Sequence, residues 1–143
     1  MAIYHENRDN QNVLVGHTLT ATSTQFGLHD SRERRKFNEW VAQGGVADPD
    51  PNVLDKVKDL KREEYLVEAQ ARVKARVSEW DTRNKINFVA SIWNMLGTPN
   101  ANQTAAKDIY LYAKNTAIPN VNSQGTVAAV QAIDVQSDPS FPS

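Results

Sequence analysis

The chain of 143 residues contains no cysteine. That excludes disulfides, thiolate nucleophiles and cysteine-ligated metals. An excess of charge of one sign is also missing: 16 Lys and Arg stand against 17 Asp and Glu, for a formal net charge of −1. Neither a chain-wide basic footprint for nucleic acid nor an acidic block is present. No apolar run approaches the ~20 residues that span a bilayer, so no membrane is expected as a partner. The first residues lack a basic flank followed by an apolar stretch, so no secretory signal is expected. No glycine-rich loop reads as a phosphate cradle and no serine sits in a nucleophile elbow. His5, His17 and His29 match no zinc spacing. Glu63, Glu64 and Glu68 lack the Glu-x-x-His of di-metal bundles and read as a charged helix surface. The sequence therefore leads to no catalytic residues, no cofactor and no metal, and the protein is read as not an enzyme.

What the chain does have is an uneven distribution of charge. The stretch from Asp30 to Lys85 is dense with it and patterned for helix. Asn115–Ser143 carries only Asp134 and Asp138, and the first 29 residues only Glu6, Arg8 and Asp9. Polar ends of this kind fray unless something holds them. Three blocks follow: residues 1–29 as an N-terminal extended arm with a strand, 30–116 as a helical body, and 117–143 as a C-terminal extended arm. The fold class expected is mainly α: a small helical bundle or hairpin with one long charged helix, two extended arms and a minor β element.

Local signals place the elements. Val13, Val15, His17, Leu19 and Ala21 alternate with Leu14, Gly16, Thr18, Thr20 and Thr22, a period-two pattern that predicts a strand. Its expected partner is Thr126–Val135 or a strand of another subunit, because a lone strand is unstable. Asp30 with Glu33 predicts a capped helix start, Phe37, Trp40 and Val41 share a face, and Gly44-Gly45 ends the segment. Asp50-Pro51 predicts a second start. A single helix from there to Leu96 would be about 69 Å long at 1.5 Å per residue, so a break is expected. The apolar stripe shifts from Val53, Val57 and Leu60 to Leu66, Val73, Val77 and Trp80, then to Ile86, Val89, Trp93 and Leu96. A break near Trp80, with Ser78 or Asp81 as cap, is predicted. A last helix over Gln103–Asn115 carries Ala106, Ile109, Tyr110 and Ala113 on one face and ends at Pro119. Trp93 is expected to pack on Ile109 and Tyr110.

Two sets of residues carry functional expectations. Arg32, Arg34, Arg35 and Lys36 form a basic cluster able to touch phosphates. The plainer and favoured reading is a solvated helix start, with Glu33 and Glu39 interleaved. Arg72, Lys74, Arg76, Arg83 and Lys85 are read the same way, with Glu68 one turn before Arg72. The second set is an interface: Val13, Val15, Leu19, Trp80, Tyr112, Val127, Val130, Ile133, Val135 and Phe141. Aromatics are enriched at interface hot spots. An extended Thr126–Val135 puts Val127, Ala129, Ile133 and Val135 on one face, suited to adding as a strand to an exposed edge.

A helical body, Ser31–Asn115, followed by a proline-punctuated, nearly uncharged arm, Thr116–Ser143, resembles the connector and adaptor proteins of tailed bacteriophages. The resemblance implies a non-enzymatic structural subunit of a virion, assembled in the host cytoplasm. It would sit in a ring at the head–tail junction, with arms inserted into neighbouring copies and other virion subunits. The alternative is a nucleic-acid-associated binding protein using the basic helix starts.

Overall fold

The computed structural model describes residues 3–78 and 101–142. The helix expected over Thr82–Leu96, Asp81 as a cap, Trp80 as an interface residue and the packing of Trp93 with Ile86, Val89 and Leu96 lie outside the described residues. The rest is about half helical with one small sheet, a mainly α chain with a minor β part. Its contacts form two compact units, Met1–Leu60 with Gly125–Val127, and Lys61–Gln124 with Ala128–Ser143.

The first unit is built on an antiparallel sheet of order β1-β2-β3, with β1 Tyr4–Arg8, β2 Leu14–Leu19 and β3 Thr24–Gly27. The predicted strand exists as β2, but its partners are β1 and β3 rather than Thr126–Val135 or another subunit. The reason is local. Asp9 Oδ1 accepts the Gln11 and Val13 N–H groups, and Asn12 adopts φ 64°, which folds the polar N-terminal segment back as a hairpin. The register pairs Tyr4 with Leu19, Glu6 with His17 and Asn7 with Gly16, then jumps to Arg8 with Leu14, so Val15 is the extra residue of a bulge. Gly16 is required by close approach: a Cβ there would lie 2.2 Å from the Phe26 carbonyl oxygen.

The outer edge of β1 is closed by the loop before the second helix. Glu6 N–H donates to the Asp48 carbonyl at 2.7 Å and Asp48 N–H to the Tyr4 carbonyl at 3.0 Å. Covering an edge in this way blocks strand addition.

Helix α1, Arg32–Ala42, starts one residue later than predicted. Ser31 is the cap and its Oγ accepts the Arg34 N–H at 3.1 Å. Gly44, at φ 93°, ends the turn as expected. Phe37 is buried and Trp40 half-buried, but Val41 is exposed. Tyr4, Phe26 and Phe37 form the core cluster, with Leu19, Trp40 and Ala47 against it. Strands and α1 thus share one core, and residues 3–29, the described part of the expected N-terminal arm 1–29, are not an arm.

Helix α2, Val53–Ser78, runs for 26 residues. Asp50 heads it, and its Oδ1 accepts the Asn52 N–H at 2.8 Å. Val57, Tyr65, Ala69 and Val73 are the buried positions, spaced for one helix face, whereas Leu66 and Val67 are exposed. The stripe predicted through Leu66 is therefore displaced by one residue, onto Tyr65.

In the second unit, α3, Ala101–Tyr112, buries Ala106 and Ile109 and passes into a π-helical turn, Ala113–Ala117, where Ile118 N–H reaches the Ala113 carbonyl. Pro119 lacks an N–H and its ring would crowd a carbonyl one turn back, and the wider π turn relieves that. The chain does not stop at Pro119. It enters α4, Ile118–Ser123, with the proline in the first turn. The segment expected to be an extended strand contains α5, Val127–Gln131. Val127, Ala129, Ile133 and Val135 do not form one strand face; Val130 and Val135 are the buried residues.

Candidate functional site

Each unit holds a cluster of polar and aromatic groups, close in sequence in the first and drawn from distant parts of the chain in the second. In the first, His17 and Arg34 are 6% and 8% exposed. Arg34 lies one turn before Phe37, so its side chain shares the inward face of α1. Its Nε and Nη2 both donate to the Gly27 carbonyl, at 3.1 and 2.7 Å. Its guanidinium carbon stands 5.1 Å from the Phe26 ring centre and 5.0 Å from that of Phe37. Nη2 also lies 3.2 Å from His17 Nδ1, and the His17 ring stacks on Phe37 with centres 4.0 Å apart. Arg34 is therefore a clamp between α1 and the sheet, not a phosphate contact. Arg32, Arg35 and Lys36 remain exposed, with Arg35 3.5 Å from Asp30.

The same unit carries a buried carboxylate. Asp50 Oδ2 accepts the Arg8 N–H at 2.7 Å and the Lys56 ammonium at 2.8 Å, and Lys56 also donates to the Arg8 carbonyl. Burial works to raise the Asp50 carboxyl, but Lys56 and the two backbone donors outweigh it and hold the pKa below the usual value. Three donors of the chain converge on it, and its role is to cap the start of α2 and to tie that start to β1. Among the described residues no three His, Asp or Glu side chains gather into a metal site. None of the described helices is long and apolar enough to cross a membrane.

In the second unit the centre is Asp138. The hydroxyls of Tyr65 and Tyr112 both donate to its Oδ2, at 2.8 and 2.9 Å, and its Oδ1 accepts the Ser140 N–H at 2.9 Å. Phe141 fills the space beside it, 5.9 Å from the Tyr65 ring, 5.0 Å from that of Tyr112 and 4.3 Å under the Arg72 guanidinium carbon. Arg72 is held by Glu68 at 2.7 Å and donates to the Gln136 carbonyl at 2.9 Å. One turn before Tyr65, Lys61 donates to the Ile133 carbonyl at 3.0 Å. Lys61, Tyr65 and Arg72 thus lie along one face of α2 and fasten the segment from Ile133 to Phe141 by side chain and backbone.

Burial alone would raise the Asp138 pKa. The Ser140 N–H, the two phenols and the Arg72 charge outweigh it, and the carboxyl is held below its ordinary value. Burial and the carboxylate together push both phenols up. A cavity of about 500 Å³ opens beside this clasp, lined by Tyr65, Tyr112, Asn120, Asp134, Ser137 and Asp138 among others. Its carboxylates are already engaged: Asp134 Oδ1 caps the Ser137 N–H at 3.2 Å, and Asp138 has three donors.

The interface residues named from sequence therefore separate. Val130, Val135 and Phe141 are buried within the chain, and Tyr112 is tied to Asp138. Leu19 packs against the first core. Val127 and Ile133 are half-buried, and Val13 and Val15 are exposed. Sequence reasoning missed Tyr65 and Asp138 as partners, and His17 as the neighbour of Arg34. The chain matches no family description, no curated protein and no solved structure.

Proposed function

We propose that this chain is a non-enzymatic structural subunit of a viral particle of the tailed-phage kind, placed in a ring at the head–tail junction. The observation that carries the reading is the end of the sheet. Val13 and Val15 are 54% and 47% exposed, and Leu28 is 54% exposed. The β2–β3 register ends at Gly16–Gly27, and Val15 and Leu28 are the next residues along the two chain segments at that end. Branched apolar side chains grouped on a strand end suit burial against a neighbouring subunit. The C-terminal segment enters this reading differently from a free arm, because its anchors are occupied at home; neighbours are joined through surfaces of the folded units. The helices of the second unit are read as the bundle or hairpin of the subunit, with the charged helix as its spine.

The test is the oligomeric state of the full chain by sedimentation velocity and electron microscopy. Ring-like assemblies are expected, together with their loss in a Val13→Ser, Val15→Ser, Leu28→Ser variant of unchanged circular dichroism. A wild-type chain that stays monomeric across the accessible concentration range contradicts the reading. The alternative, a nucleic-acid-associated protein, keeps Arg32, Arg35 and Lys36 as its exposed cations and predicts affinity that falls steeply with salt. No binding at low salt removes it.

A further inference from the structure

Arginine has five donors and no acceptor. The 3.2 Å contact between Arg34 Nη2 and His17 Nδ1 therefore requires Nδ1 to accept, which places the imidazole proton on Nε2 and the ring in its neutral form. The clamp that joins α1 to the sheet thus adds one lone pair of a titratable base to its two bonds on the Gly27 carbonyl. A proton on Nδ1 removes that acceptor and sets an N–H against the guanidinium, inside a core where neither group has water to turn to.

We infer that His17 is the proton sensor of an acid-operated latch: protonation at Nδ1 releases Arg34, and with it helix α1, from the sheet. Among the described residues, charged groups face the imidazole from two elements. From α1 there is Arg34 alone, beside the apolar Phe37. From β1 there are Glu6, the cross-strand neighbour of His17, and Arg8. Glu6 favours a charged imidazole, but its carboxylate already accepts Arg8 Nε at 2.8 Å, which spends much of its field on that pair. Strand β3 contributes Phe26 and no charged side chain.

The direction follows. Burial first and Arg34 second hold the His17 pKa below its ordinary 6.5, with Glu6 opposing and Arg8 adding. A base whose pKa is lowered by folding takes up its proton more readily once the structure opens. The closed latch is fully favoured above pH 6.5, the unfolded value, and loses that advantage as pH falls through it. The ratio of open to closed forms grows by up to about tenfold per pH unit until the folded midpoint is passed. Opening uncovers Tyr4, Phe26 and Phe37, a face of aromatic rings available only in acid.

The experiment follows the imidazole by NMR in the full chain carrying His5→Gln and His29→Gln, so that His17 supplies the one histidine signal. Amide exchange of α1, corrected for its intrinsic pH dependence, is measured beside it between pH 7.5 and 5. The expected result is a His17 midpoint below 6.5, with α1 exchange level above pH 6.5 and rising below it by up to about tenfold per pH unit relative to α3. In His17→Gln, which keeps an acceptor for Arg34 and cannot titrate in this range, the acid-dependent rise should vanish. In Arg34→Met the midpoint should move up. Should His17→Gln not fold, the wild-type imidazole titration and the Arg34→Met shift decide the matter between them. A midpoint at or above 6.5, an unmoved midpoint in Arg34→Met, or an equal acid response in His17→Gln overturns the latch.

Discussion

The first unit closes its core with neighbours in sequence. Strands β1 to β3 and helix α1 follow one another within 42 residues; the rings of Phe26 and Phe37 meet at one guanidinium, and Tyr4 packs edge-on against both rings. The second unit closes across long separations. Tyr65 reaches Asp138 over 73 positions, Arg72 reaches Gln136 over 64 and Lys61 reaches Ile133 over 72. Both units use a buried or half-buried charged group at the centre of aromatic rings, a cation in one and an anion in the other. The difference lies in what must be ordered first. A sheet made of hairpins needs little loop closure, whereas the clasp forms only after α2 and the C-terminal segment have been brought together. The first unit is thus expected to be the more self-sufficient, and the second to depend on the segment from Ile133 to Phe141.

That comparison can be broken by substitution. The largest effect is expected from Phe141→Ala, which empties the box formed by Tyr65, Tyr112 and Arg72. A loss of about 3–5 kcal/mol from the second unit is anticipated in denaturant titration, with exchange of β2 unchanged. An equal loss in both units would show that they do not fold separately. Gly16→Ala is the matching change in the first unit. Its Cβ would press on the Phe26 carbonyl, and a cost of about 1–3 kcal/mol is expected, read as faster exchange in β2 and β3 with the clasp intact.

Asp138→Asn tests the charge of the clasp. It keeps an acceptor for the phenols but gives up the charge-assisted bonds, for an expected loss of about 1–3 kcal/mol. The wild-type pH profile sharpens the point. The Asp138 pKa is lowered by folding, so its contribution is present above 3.8, the ordinary value, and fades as pH falls below it. The Tyr65 and Tyr112 values are raised by folding, so their contribution is present below 10 and fades as pH rises above it. Asp138→Asn should flatten the acid limb of the second unit and leave that of the first. The smallest effect is expected from Ser31→Ala, about 1 kcal/mol, confined to α1 as loss of its cap.

Much of the first unit was legible in the sequence. The alternation around His17, the helix start near Asp30, the glycine stop and the Asp50-Pro51 restart all correspond to local preferences, and local preferences govern short-range structure. His17 falls in phase with Leu19, and Arg34 falls one turn before Phe37; both positions point inward by period alone. Arg34 was nonetheless read with its basic neighbours as part of a solvated helix start, and His17 was weighed only as a metal ligand. The C-terminal segment was misread for a different reason. Thr126–Val135 is rich in alanine and valine, and a ten-residue window with that composition fits a strand and a short helix equally well. What decided between them was a partner more than 60 residues away. Tyr65 escaped notice because one-residue phase shifts in an alanine- and valine-containing helix are easily absorbed by Leu66. Asp138 was visible only as one of two isolated charges in a neutral stretch, and that isolation was itself the available signal, since a lone carboxylate among apolar residues needs a partner when it is buried.

The central claim is that the C-terminal segment belongs to the second unit's own core rather than to a free arm. Native-state amide exchange on the full chain at neutral pH, repeated over a range of protein concentrations, tests it most directly. Protection is predicted at Ala132, Ile133, Asp138 and Phe141, whose N–H groups are bonded within the segment, at the level of α2 in the same unit and independent of concentration. Exchange of these amides at free-chain rates in dilute solution, with protection appearing only as the protein assembles, would contradict it.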